Sequence, residues 1–247
     1  MRPFRPGLVP TLVVLALLPG LIALGCWQLR RADEKRTLMD TYAVRQLEAP
    51  VAVAQLQQLP DPAFYPVRLH GHFDSQHSLL LDNQMRDGKA GVELLQPFFD
   101  QQSGQWLLVN RGWLPWPDRR VPVHFDTPEQ ALALQATVYV APGKTFQLHP
   151  DPTGGQWPHL LTAIEPNGLW QQLGREGFAH ELRLQPGPAS YRLDWPVVAM
   201  GPEKHLGYAM QWFALASTLV LLYLYFGWHR HNKENPHGRR HLPAERA

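Results

Sequence analysis

Two long apolar stretches lie near the ends of the chain, and a region with strand-like alternation lies between them. The stretch nearer the C-terminus carries no Asp, Glu, Lys, Arg or His from residue 206 to residue 228, which is enough for one helix to cross a bilayer. Aromatic residues mark both of its ends, as expected of rings that sit at the depth of the lipid headgroups. The pattern predicts a transmembrane helix over residues 205–228.

The first apolar stretch covers residues 8–29 and contains no charged side chain. A cleavable signal peptide is one interpretation, because two arginines precede the stretch, and a lipoprotein signal ending at Cys26 is another. Trp27 and Gln28, followed by arginines, are more typical of an interfacial anchor, which favours a retained span. No long transit peptide precedes it, which favours a bacterial inner membrane over a mitochondrial one.

The helical pattern continues to about Glu48, and the period then changes to that of strands. Alternating or apolar segments bounded by turn residues predict strands at 67–73, 79–81, 92–99, 106–109, 132–140 and 179–184. One short helix is expected from Asn167, as its N-cap, to Gly174. We therefore predict an α+β membrane protein in which two transmembrane helices bracket one β-rich extracytoplasmic domain. The predicted divisions are 1–29, 30–204, 205–228 and 229–247.

The positive charges flanking the second span predict its orientation. The tail carries Arg230, Lys233, Arg239 and Arg240, whereas only Lys204 lies close before the span. Cytoplasmic segments carry this excess of Lys and Arg, so we expect both termini in the cytoplasm and the central domain in the periplasm.

Composition excludes several classes of function. The net charge is only +2 and no long basic stretch lies in the central region, so nucleic acid is not an expected partner. The single cysteine excludes an internal disulfide. No common catalytic motif occurs, which argues against an enzyme. His70, His72 and His77 have a spacing that would allow a metal site, although histidines on an exposed strand face are the simpler interpretation.

The entry to the second span gathers unusual polar groups. At helical spacing, His205, Tyr208 and Trp212 stack with Gln211 beside them. Polar groups at this depth are paired or functional as a rule. The imidazole of His205 either caps the span or ligates the iron of a lipophilic haem, because neutral imidazole is the common protein donor to haem. Arg31, Lys35 or Arg111 would then pair with the haem carboxylates.

Three separated segments resemble signatures of the surfeit locus protein 1 family of cytochrome c oxidase assembly factors. The first segment is Leu24–Leu29, with Arg31 and Lys35 following. The second is Leu108–Pro115, which reads Leu-Val-Asn-Arg-Gly-Trp-Leu-Pro, and the third is His205–Phe213, which reads His-Leu-Gly-Tyr-Ala-Met-Gln-Trp-Phe. The resemblance covers essentially the whole chain. The segment between Trp116 and Trp157 matches no family motif.

The resemblance implies an assembly factor that binds haem a transiently, with His205 as iron ligand. It also implies, as partners, the catalytic subunit of cytochrome c oxidase, other assembly factors and the lipid bilayer. Trp27 and Gln28 would then meet Gln211 and Trp212 at one depth, either as a haem pocket or as an ordinary aromatic belt with glutamine hydrogen bonds. Arg111 either contacts the cofactor or fixes a strand end. A haem-independent scaffold and a membrane-tethered enzyme are the alternatives.

Overall fold

The structure, a computed structural model, describes residue 4, residues 6–141, residues 143, 147, 149 and 151, and residues 155–229. The chain divides into two compact units. We call Met1–Met39 with Val198–Ala247 the helix pair, and Asp40–Val197 the β domain. The tail cations from Arg230 onward, used above to predict orientation, lie outside the described residues, as do the two N-terminal arginines.

The described residues form four helices and eight strands. In chain order they are α1 (Leu8–Arg45), β1 (Val51–Ala52), α2 (Val53–Leu56), β2 (Pro66–Phe73), β3 (Leu79–Arg86), β4 (Lys89–Asp100), β5 (Gln105–Pro115), β6 (Leu132–Tyr139), β7 (His159–Leu161), α3 (Pro166–Leu173), β8 (Gly177–Leu184) and α4 (Pro202–His229). The predicted α+β class, with an apolar helix at each end of a β-rich domain, is confirmed.

Both terminal helices are long and apolar enough to cross a membrane. In both helices, less exposed positions recur with alternating steps of three and four residues. On α1 these positions are Thr11, Val14, Leu18, Leu21, Gly25, Gln28, Ala32 and Lys35. On α4 they are Pro202, His205, Ala209, Trp212, Ala216, Leu219 and Tyr223. This is the heptad spacing of two helices packed along a left-handed seam.

Contacts at both ends of the seam show that the two helices run antiparallel. Thr11 Oγ1 lies 3.0 Å from the hydroxyl of Tyr223, whereas Gln28 lies beside His205. Gly25 lies between these levels, and a Cβ there would be 2.6 Å from the ring of Phe213. The helices are therefore paired rather than splayed, and only small side chains fit at their closest approach.

Five strands of the β domain close into a barrel. The order β2–β6–β8–β5–β4 is completed by an antiparallel pairing of β4 with the end of β2, where Gly71 faces Asp100 and Phe73 faces Phe98. Strands β3 and β7 continue the sheet from β4, and β1 adds to the edge of β2. A closed ring removes the unpaired edges that an open sheet would expose.

The barrel encloses the main core, and α3 covers a second one. Alternate residues of β2, β5, β6 and β8 point inward, among them Val67, Leu107, Val138 and Leu182. The opposite faces of β3, β4 and β5 pack against Leu169 and Trp170 of α3. This arrangement follows from the period of two in the strands, because successive side chains point to opposite faces of a sheet.

Most of the predicted elements agree with the structure, and one capping assignment was wrong. α3 begins at Pro166, with Glu165 at its cap and no side-chain capping bond, so Asn167 is not the N-cap but lies inside the first turn. The fixed φ of proline suits the first helical position, and α3 therefore begins two residues before the start that an N-cap at Asn167 implies. Gly174 ends α3 in the left-handed conformation, as expected. The short strands β1 and β7 were not predicted.

Candidate functional site

His205 and Gln28 meet at one end of the seam between α1 and α4. Nδ1 of His205 lies 2.7 Å from Oε1 of Gln28. His205 is 8% exposed, and small residues beside the pair, Ala32 and Ala209, are almost fully buried. Because both partners occupy seam positions, the packing of the two helices holds the imidazole in place.

The hydrogen bond orients the imidazole. An amide oxygen only accepts, so Nδ1 of His205 is the donor of this bond. Nε2 has no hydrogen-bond partner among the described residues, and it is not one of their fully buried unpartnered atoms. An imidazole anchored through one nitrogen, with the other free, is the arrangement that metal-ligating histidines commonly have.

The other predicted residues of the helix pair differ in exposure. Trp27 is 51% exposed and Tyr208 is 45% exposed, while Trp212 is half-buried and Gln211 is exposed. Nη1 of Arg31 pairs with Glu34 at 2.6 Å on the surface of α1. The structure thus brings His205 and Gln28 together and leaves the aromatic rings of Trp27 and Tyr208 at the outer surface of the pair.

Arg111 lies in the interior of the β domain. It is 2% exposed, donates to the carbonyl of Ala189 and to Oε1 of Gln96, and faces the rings of Phe73 and Tyr191. These contacts hold the guanidinium within the β domain and give it a role in the fold. This agrees with the interpretation that Arg111 fixes a strand end, and the haem site proposed below does not include it.

The residues on either side of Arg111 also have structural contacts or geometry within the β domain. Asn110 is fully buried and donates to Glu93 at 2.9 Å and to Glu181 at 2.8 Å. Gly112 has φ of 115°, at a shift of register between β4 and β5. Sequence analysis did not identify Glu93 and Glu181 as partners of Asn110. The three residues lie on three separate strands, and their spacing in the sequence gives no sign of the contact.

The spacing of His70, His72 and His77, which would allow a metal site, does not produce one among the described residues. No group of three or more His, Cys, Asp or Glu side chains among the described residues is arranged to hold a metal. His77 instead pairs through Nδ1 with Asp74 at 2.7 Å, and its ring contacts Trp157 edge-on. His70 is exposed on β2, in agreement with the simpler interpretation of this strand.

Comparison with known proteins identifies the family. A sequence model of the SURF1 family matches residues 15–217. The chain belongs to the SURF1 family. A SURF1-like protein of Rickettsia felis is 25% identical over 224 residues, covering 87% of this chain and 95% of that protein. The resemblance found in the three motifs is thereby confirmed.

One of two further relatives has a name that describes a role. The cytochrome oxidase assembly protein SHY1 of Saccharomyces cerevisiae is 27% identical over 114 residues, covering 43% of this chain and 29% of that protein. Surfeit locus protein 1 of Gallus gallus is 29% identical over 108 residues, covering 37% of this chain and 35% of that protein. The SURF1 family thus contains a protein named for oxidase assembly.

The helix pair of this SURF1-family chain offers one nitrogen ligand in an apolar setting. The imidazole of His205 is oriented by Gln28 and open at Nε2. A nitrogen donor of this kind suits coordination of a haem iron. The donor chemistry therefore fits the cofactor predicted from the sequence.

Proposed function

We propose that this protein is an assembly factor for a haem-copper (cytochrome c) oxidase, and that it binds haem a at His205 and hands it to the catalytic subunit. The observation that carries the proposal is the hydrogen bond from Nδ1 of His205 to Gln28, which leaves Nε2 available. The relative SHY1, named for cytochrome oxidase assembly, supports the cellular role. Haem a is cargo here, so moderate affinity serves better than tight retention.

Helical phase supports a site on one flank of the pair. The helical period places each residue at an angle around its helix axis. By that angle, Trp27 and Arg31 of α1 lie on the same side of the seam as Tyr208 and Gln211 of α4. Gln28 and His205 occupy the seam positions nearest that side. A flat macrocycle lying there would meet exposed rings along its face, and Arg31 and Lys35 would meet its carboxylates beyond the apolar region.

Within the chain, each residue has a separate task. Gln28 orients the imidazole by accepting a hydrogen bond from Nδ1, and Nε2 would be the atom that holds the haem iron. The apolar seam excludes water beneath the ring. Because His205 would be the one strong ligand that the helix pair supplies, the cofactor would remain transferable.

The decisive experiment compares two histidines on α4. The full chain is produced together with haem a, purified in detergent, and its absorption spectrum recorded. We expect His205→Ala to lose the haem band, whereas His229→Ala, at the other end of α4, retains it. Unchanged spectra for His205→Ala would overturn the ligand assignment, and equal membrane content of both variants would show that insertion is intact.

We further propose that the protein resides in a bacterial inner membrane with both termini cytoplasmic and the β domain periplasmic. Lys and Arg are more numerous after the second span than before it, which supports this orientation. A reporter active only in the periplasm, fused to the C-terminus, should give no signal, and one that folds only in the cytoplasm should be active. The reverse pair of results would refute the topology.

A haem-independent scaffold for an oxidase subunit is the second candidate. The observation that favours it is the same bond, since Gln28 and His205 also stabilise the antiparallel pair as an interhelical link. Co-purification of an oxidase subunit with a protein that shows no haem band, even with haem a produced alongside, would select the scaffold. Oxidase assembly would then fall in a variant that disrupts helix pairing, such as Gly25→Ala, whether or not that variant retains haem a.

A further inference from the structure

An open cleft in the β domain lies against the outer face of β8. Its volume is about 490 Å³, which is within the range of small-molecule sites. Leu81, Ala163 and Ile164 supply apolar walls, while Glu181 and Arg183 supply charge. None of these residues belongs to the helix pair, so the cleft is independent of the haem proposal.

Arg183 lines this cleft and carries donors that have no partner within the described chain. Its side chain is 16% exposed, and Nε donates to Oε1 of Glu181 at 3.0 Å. The guanidinium lies 3.4 Å from the centre of the Tyr139 ring and 5.1 Å from that of Trp195, which holds it in a fixed plane. Nη1 and Nη2 have no hydrogen-bond partner among the described residues. A planar fork with free donors is the geometry that pairs with a carboxylate.

Glu181 pairs with Arg183 only through Nε, so this pair leaves the two terminal nitrogens of the guanidinium free. Its Oε1 accepts from both Asn110 and Arg183, while Oε2 has no partner among the described residues and is not fully enclosed. Burial raises the pKa of the Glu181 carboxyl, against the opposing influence of Arg183. The second glutamate on Asn110, Glu93, is paired with Arg86 at 2.8 Å.

In the part of the chain that the structure describes, Nη1 and Nη2 of Arg183 thus remain open as N–H donors. A carboxylate would accept from both at once, and the apolar walls require that it be attached to an apolar body.

We propose that this cleft binds a carboxylate carried on a planar apolar group, with Arg183 as its anchor and Leu81, Ala163 and Ile164 around the apolar part. The ligand would be a small aromatic or conjugated acid. Binding of this kind would let the β domain respond to a soluble molecule while the helix pair performs its own task.

The test uses benzoate as the probe, titrated calorimetrically into the detergent-purified full chain, with benzamide as its neutral isostere and inorganic phosphate as a bare anion. We expect benzoate to bind at least tenfold more tightly than either. Equal affinity for benzamide would overturn the proposal, and equal affinity for phosphate would overturn the ligand class. Both comparisons use the unmodified protein and do not depend on a variant that folds.

Variants then locate the site. Arg183→Lys keeps the charge but loses the fork, and should weaken benzoate binding about tenfold. Arg175→Lys is the matched control, because Arg175 also faces an aromatic ring, that of Trp106 at 4.1 Å, and pairs with a carboxylate, Asp74. Glu181→Gln keeps an acceptor oxygen for Asn110 and Arg183 and removes the competing negative charge, so it should bind benzoate more tightly. Unchanged binding in Arg183→Lys, or weaker binding in Glu181→Gln, would overturn the proposal.

Discussion

Nδ1 of His205 lies 2.7 Å from Oε1 of Gln28, and this bond joins side chains 177 positions apart in the sequence. Each residue comes from a different terminal helix, and each occupies a seam position. The pair is therefore both a structural link between the helices and a device that orients the imidazole. The two roles can be separated by experiment, because only the second depends on which nitrogen of His205 is free.

We expect Gln28→Leu to weaken haem a binding by about 10–100-fold, the usual cost of removing the group that orients a metal-bound histidine. Thr11→Val is the matched control, since it removes the other polar contact of the seam, that with Tyr223, at the far end of the pair. Both variants are titrated spectroscopically in detergent. Equal loss in the two would attribute the effect to helix pairing rather than to the orientation of His205.

Helix pairing itself depends on the close approach at Gly25. A Cβ at this position would lie 2.6 Å from the ring of Phe213, which is closer than real contacts allow. Gly25→Ala should therefore lower the melting temperature of the helix pair in detergent, with an overpacking cost of about 1–3 kcal/mol. Gly25→Ala combined with Phe213→Leu should recover most of that loss. A double variant no better than the single one would show that Phe213 is not the obstacle.

The fold was predictable from the sequence as far as local patterns reach. The alternation at Val67, Leu69 and Phe73 predicts β2, because one face of the strand is buried, and the uncharged run predicts α4. Barrel closure was not predictable, since the pairing of β2 with β4 depends on the twist of the sheet rather than on periodicity.

The candidate site was predictable only in part. Helical spacing placed His205 at the membrane entry, but its pairing with Gln28 depends on the register between two helices that are distant in the sequence. Arg111 shows the opposite case. The motif around Arg111 allowed either a cofactor contact or a structural role. In the structure Arg111 donates hydrogen bonds to Gln96 and Ala189 inside the β domain.

Closure of the barrel should be sensitive to Gly71. β2 leaves its pairing with β6 and joins β4 at this residue, and a Cβ here would lie 1.8 Å from the backbone oxygen of Phe99. Because a backbone atom cannot move aside as a side chain does, we expect Gly71→Ala to destabilise the β domain by more than about 3 kcal/mol. Gly168→Ala in α3, where the nearest atom is 3.8 Å away, should stabilise it slightly. Chemical denaturation followed by tryptophan fluorescence measures both, and similar unfolding midpoints would contradict the assigned crossing.

Asp74 should make the stability of the β domain depend on pH in acid. Burial alone would raise the pKa of this carboxyl, but hydrogen bonds from Arg175 at 2.6 Å and from His77 at 2.7 Å outweigh it, so the pKa lies below the ordinary value of 3.8. The ionised form is thus favoured by folding. Its contribution is fully present above the unfolded pKa and is lost as the pH falls through the lower folded pKa.

Asp74→Asn removes this ionisable group while keeping its size. We expect the variant to be less stable than the parent protein by about 1–3 kcal/mol at pH 7, and the difference to shrink as the pH falls below about 4. Asp33→Asn is the control, because Asp33 forms an exposed pair with Arg36 and should change stability by less than about 0.5 kcal/mol. Denaturation midpoints at a series of pH values test this. A difference between Asp74→Asn and the parent that stays constant into strong acid would show that the ion pair with Arg175 contributes nothing to folding.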